Sequence, residues 1–153
     1  MENRQQYRGN ISAPNLLNIC VDRHFCDEVS GRLYHCYSQD PIHFSNIIEL
    51  IREAEKLFDT IAFPQASNKP RSFVEQEAPR TMPVKRPEKT VDPKEVTSHQ
   101  GNLVSLITNV RFRQNSTWQG EFYWVEQGRT LLFSNTLDFI REIDAVLEYM
   151  KRG

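Results

Sequence analysis

Cysteine and histidine crowd the first third of the chain at Cys20, His24, Cys26, His35, Cys36 and His43. Thiolate and imidazole are the ligands of zinc sites, but the spacing argues against one. No C-x-x-C pair occurs, and structural zinc normally gathers close pairs on a knuckle or a helix. Free cysteine also serves as a small buried apolar side chain. Asp22, His24 and Cys26 imitate a Cys-His-Asp set. Nucleophile and base must come within about 3 Å. Side chains two apart on a strand stand parallel, with their backbones about 6–7 Å apart. A polar exposed strand face accounts for them better than a thiol enzyme does. The glycines are scattered and form no phosphate loop. The expectation is a chain without catalytic residues, metal or cofactor.

Richer chemistry lies in RFRQNSTWQGEFYW, from Arg111 to Trp124. Strict alternation places Val110, Phe112, Phe122 and Trp124 on a buried face. It leaves Arg111, Arg113, Glu121 and Tyr123 on an open one. Trp118 and Gln119 belong to the turn at its edge, with Asn115 beside them. The predicted binding set is Arg111, Arg113, Asn115, Trp118, Gln119 and Tyr123, together with Tyr34, which matches Tyr123 elsewhere in the chain. Arginine beside aromatics is used at protein hot spots and on single-stranded RNA platforms. A plain sheet with one wet face is the alternative without function. The formal net charge of −1 argues against a generic polyanion binder. The sequence therefore points to a non-enzymatic binding or adaptor protein that engages a protein partner through an open sheet face. A single-stranded RNA binder is the alternative, and a cysteine- or metal-dependent enzyme is the third.

The elements that must hold these residues come in two copies. With an offset of 89, Gly31–Phe58 aligns with Gly120–Leu147 without a gap, and 8 of 28 pairs are identical. Residue frequencies alone give about two. Each copy reads as three strands and a helix. The strands of the first are Asn18–Phe25, Arg32–Tyr37 and, after an Asp40-Pro41 turn, Ile42–Phe44. The second has Leu103–Gln114, a strand from Gly120, and Arg129–Phe133. Asn46 with Glu49, and Asn135 with Asp138, predict helix caps. Apolar stripes follow at Ile47, Leu50, Ile51, Ala54, Leu57, Phe58 and Ile61, and at Leu137, Ile140, Ile143, Leu147 and Met150. A unit of about 45 residues is small for a core of its own. The expected fold is α+β: two tandem βββα repeats with pseudo-twofold symmetry, their antiparallel sheet packed against two helices.

This divides the chain into a flexible N-terminus (1–15), a first repeat (16–65), a disordered Pro-rich linker (66–100) and a second repeat (101–153). Five prolines and the lack of hydrophobic period mark the linker. Its length also permits a homodimer by repeat swapping. The chain has no apolar run of membrane-helix length and no secretion signal at its start, which predicts a cytoplasmic protein with reduced cysteines. FRQNSTWQGEFYW, followed by a short strand and FSNTLDFIREIDAVL, resembles the C-terminal part of small uncharacterised proteins from gut Firmicutes that carry a FRQNxxWQG strand-turn motif. The resemblance covers about the last 45 residues. It implies a bacterial cytoplasmic origin and no particular activity.

Overall fold

The computed structural model describes residues 11–26, 28–64, 66–67, 87–115 and 117–152. Two three-strand meanders form where β-rich runs are punctuated by tight turns. The first holds β1 (Leu17–Phe25), β2 (Glu28–His35) and β3 (Ser38–Phe44), followed by helix α1 (Ile47–Ile61). The second holds β5 (Val104–Gln114), β6 (Gln119–Trp124) and β7 (Arg129–Phe133), followed by α3 (Thr136–Arg152). β1 pairs antiparallel with β5, which joins the meanders in one sheet of order β3-β2-β1-β5-β6-β7. Among the described residues the fold is α+β, a six-strand antiparallel sheet with three helices. A two-residue strand, β4 (Ala66–Ser67), adds in parallel beside Arg113 and Gln114. The third helix, α2 (Pro93–Ser98), is short and was not expected. β3 begins earlier than the Asp40-Pro41 signal suggested, because the turn falls at Cys36-Tyr37. Pro41 is tolerated inside β3 because that strand is at the sheet's edge.

Helices α1 and α3 cover one face. Leu50, Ala54, Leu57, Phe58 and Ile61 of α1 share a core with Phe139, Ile143, Val146 and Leu147 of α3. Both caps form: Asn46 Oδ1 accepts from the Glu49 amide at 2.8 Å, and Asn135 Oδ1 from the Asp138 amide at 2.7 Å. The stripe of α3 is rotated from the expected one. Leu137 and Met150 are exposed, Ile140 is half-buried, and Phe139 and Val146 point inward. The larger Phe139 takes the core because three aromatic rings, Trp118, Phe122 and Phe133, meet it edge-on.

The sheet's other face is not open over β1 and β2. Val91 and Val96 are buried there with Leu16, Cys20, Tyr34, Cys36, Ile107 and Tyr123. Asn18 Nδ2 donates to the carbonyls of Val96 (2.8 Å) and His99 (2.9 Å). The amides of Thr90 and Val91 donate to the Cys36 carbonyl, and the His99 ring stacks on Tyr34 with centroids 3.7 Å apart. Asp92 caps α2 and Pro93 opens it. The expectation of an unstructured linker up to Gln100 therefore fails for residues 90–99. Two valines on one capped turn suffice to dock it, although they form no readable period. Residues 68–86 of the expected linker, and residues 1–10 of the expected flexible N-terminus, lie outside the described residues. The N-terminal expectation fails at its end: Ala13 and Asn15 are buried, and Asn15 Nδ2 donates to the Val110 carbonyl at 2.7 Å.

Candidate functional site

A slip in the β5–β6 ladder decides where the predicted site residues point. Val110 pairs with Gly120, but Phe112 pairs with Gln119, so a bulge lies between them. A bulge re-aims the side chains that follow it. Arg111 and Phe112 both become exposed, and Arg113 turns inward. Only glycine fits opposite the bulge, since a Cβ on Gly120 would lie 2.1 Å from the Asn109 carbonyl oxygen. The β1–β2 ladder slips likewise between Val21 and Arg23, and a Cβ on Gly31 would lie 2.0 Å from the Cys20 oxygen.

The expectation that Arg113 faces solvent is therefore corrected. Its side chain reaches α1: Nε donates to the Pro64 carbonyl at 2.6 Å, and Nη1 to Glu55 and Asp59 at 2.9 Å each. The guanidinium also lies over the Phe58 ring. Trp118 is corrected as well. It is 1% exposed, set edge-on between Phe58 and Phe139, and its Nε1 donates to Glu55. Thr117 and Thr136 tie this turn to the start of α3. Tyr34 and Tyr123 are buried, in the cluster that Val91 and Val96 complete. Asn115 remains exposed and takes a left-handed φ of 55° at the turn. Gln119 is half-buried and closes the turn: its Oε1 accepts from the Gln114 amide at 3.0 Å, and its Nε2 donates to the Thr117 carbonyl at 3.1 Å. Of the predicted set, Arg111, Asn115 and Gln119 stay within reach of solvent.

A different constellation gathers on the surface. Arg111 pairs with Glu121 across the ladder. Glu121 stands opposite Leu132 on β7. Arg111, Phe112, Gln119, Glu121, Leu132 and Asp138 line a groove of about 390 Å³. Its apolar members are strongly exposed, Phe112 at 56% and Leu132 at 72%. At its end, Asp138 accepts from the Ser134 hydroxyl (2.5 Å) and amide (3.3 Å), which hold its carboxyl below the usual range. Sequence alternation missed Phe112 and Leu132. A signal lay at the offset of 89, where polar Arg23 falls against Phe112 and His43 against Leu132. A polar residue at the matching position marks a surface site.

The cysteines and histidines of the first meander do not assemble. Cys20 and Cys36 are buried thiols. Burial pushes Cys20 up to about 12 and also raises Cys36. Asp22 is taken by Arg32, through bonds of 2.9 and 3.1 Å, and by the Asn102 amide. The Arg32 guanidinium holds the Asp22 carboxyl below its ordinary range. His35 is buried, its Nδ1 accepts from the Tyr37 amide at 3.0 Å, and burial lowers its pKa. Among the described residues, no three His, Cys, Asp or Glu side chains are placed to share a metal ion. No described helix is long and apolar enough to cross a membrane. No protein-family model, curated protein or solved structure matches this chain.

Proposed function

We propose that the chain is a non-enzymatic binding or adaptor protein that engages a protein partner through the groove on β5, β6 and β7. The observation that carries this is the pair Phe112 and Leu132, large apolar side chains exposed in one groove and bordered by the Arg111–Glu121 ion pair. An apolar centre with a charged rim is the arrangement that binding hot spots use. Single-stranded RNA has less support, because Trp118, Tyr34 and Tyr123, the aromatics that would stack on bases, are buried.

The frame proposed for this groove is two tandem βββα repeats, 16–65 and 101–153, related by a pseudo-twofold axis. Several registers support it. Val21 pairs with Gly31 as Val110 does with Gly120, and each ladder slips at the next residue. Gly31 pairs with Phe44 as Gly120 does with Phe133. Leu17 faces Thr108 and Ile19 faces Leu106, an arrangement that is symmetric about Asn18 and Ile107 at the offset of 89.

The test is capture from a lysate of the native source by the parent and by a Phe112→Ser/Leu132→Ser variant. Exposed sites usually change stability by about 0.5 kcal/mol or less, so the variant is expected to melt with the parent and to lose its specific captures. A folded variant that captures the same proteins sinks the proposal. Capture of nucleic acid, with affinity falling steeply as salt rises, would favour the RNA alternative.

A further inference from the structure

The two edges of the sheet are built differently. β3 ends one side, and its sequence SQDPIHF carries an acid and a proline. Both features block the addition of another strand. β7 ends the other side with RTLLF, which has no proline and carries its single charge at its first residue. Its Leu132 is 72% exposed. Its Arg129 is exposed and has no ion-pair partner among the described residues. An unblocked apolar edge is a template for strand pairing.

We propose that the partner at this edge is a second copy of the chain, its β7 antiparallel to the first about a twofold axis through Leu131. The proposal presupposes the protein-binding role given to the groove above. The charges favour a second copy over an unrelated strand. β7 begins with basic Arg129, and acidic Asp138 holds Ser134 just past its end. Antiparallel self-pairing brings the start of each strand to the end of the other, so each Arg129 meets the partner's Asp138. The contact is isologous: the same pair forms on each side of the axis. With Leu131 opposite Leu131, Thr130 faces the partner's Leu132. The two Leu132 side chains then become diagonal neighbours on the groove face, about 7–8 Å apart at the backbone and within each other's reach. Both leave water, and the sheet runs on across both copies.

Sedimentation velocity of the full chain at rising concentration tests this. The parent is expected to reach twice 18.0 kDa. Arg129→Asp alone and Asp138→Lys alone are each expected to stay monomeric where the parent is dimeric, because each sets like charges together on both sides. An equimolar mixture of the two is expected to recover the dimer, since the mixed pair has an acid opposite a base on both sides. Asp138 also secures the start of α3, so circular dichroism must show that its variant folds. Leu132→Lys leaves that cap intact and is likewise expected to be monomeric. A parent that stays monomeric overturns the second-copy proposal, and so does a dimer that survives both Arg129→Asp and Leu132→Lys. Failure of the groove's wider role would show separately, as unchanged capture by Phe112→Ser, a change that lies off the β7 edge.

Discussion

Arg111 and Arg113 stand two apart on β5 and do opposite things. Arg111 lies on the surface with Glu121, while Arg113 is buried against α1. Exposed ion pairs contribute little, whereas removing a buried, hydrogen-bonded charge strands its partners. Arg111→Ala should therefore shift the unfolding free energy by no more than about 0.5 kcal/mol. Arg113→Ala should cost about 2–3 kcal/mol, measured by urea denaturation. Equal losses would mean that the bulge does not re-aim them. His35 gives a pH signature. Burial depresses its pKa below the ordinary value of about 6.5. As pH falls, the unfolded chain takes the proton first, so the stability lent by neutral His35 is whole above that value and lost below it. The urea midpoint should begin to drop as pH falls through about 6.5 and keep dropping below it, and drop less in His35→Asn. Residue types were legible in the sequence, but their facing was not. Alternation holds only while the ladder keeps register, and the bulge after Val110 reverses it for Phe112 and Arg113.

At the scale of elements, Gly31 and Gly120 let each ladder slip, because the neighbouring carbonyl fills the space of a Cβ. Gly31→Ala and Gly120→Ala should each cost about 2 kcal/mol or more, read from the thermal midpoint. A loss at one position alone would argue against the two bulges being equivalent. The helices divide similarly. Phe139→Ala should cost about 3–5 kcal/mol. Ile140→Ala and Ile51→Ala should cost less, since both side chains are only partly buried against the core. The sequence made the caps at Asn46 and Asn135 plain, because capping is local chemistry. The roll of α3 was not local: it depends on the rings that wait for Phe139. Nor was the docking of Val91 and Val96 legible, because a contact made by two residues has no period.

For the whole molecule, the offset of 89 predicted a duplicated unit; the structure has two three-strand meanders, each followed by a helix, and β1 against β5 joins them in one sheet. The groove lies at one end of that sheet, beyond the part that Val91 and Val96 cover. A function there turns on contact at Phe112. A photoreactive benzoylphenylalanine in place of Phe112, compared with one in place of the exposed Ile48 on α1, measures that contact without perturbing the core. A discrete protein adduct is expected from position 112 and none from position 48 on irradiation in native extract. An adduct from position 48 with none from position 112, or the same adducts from both, would contradict that function.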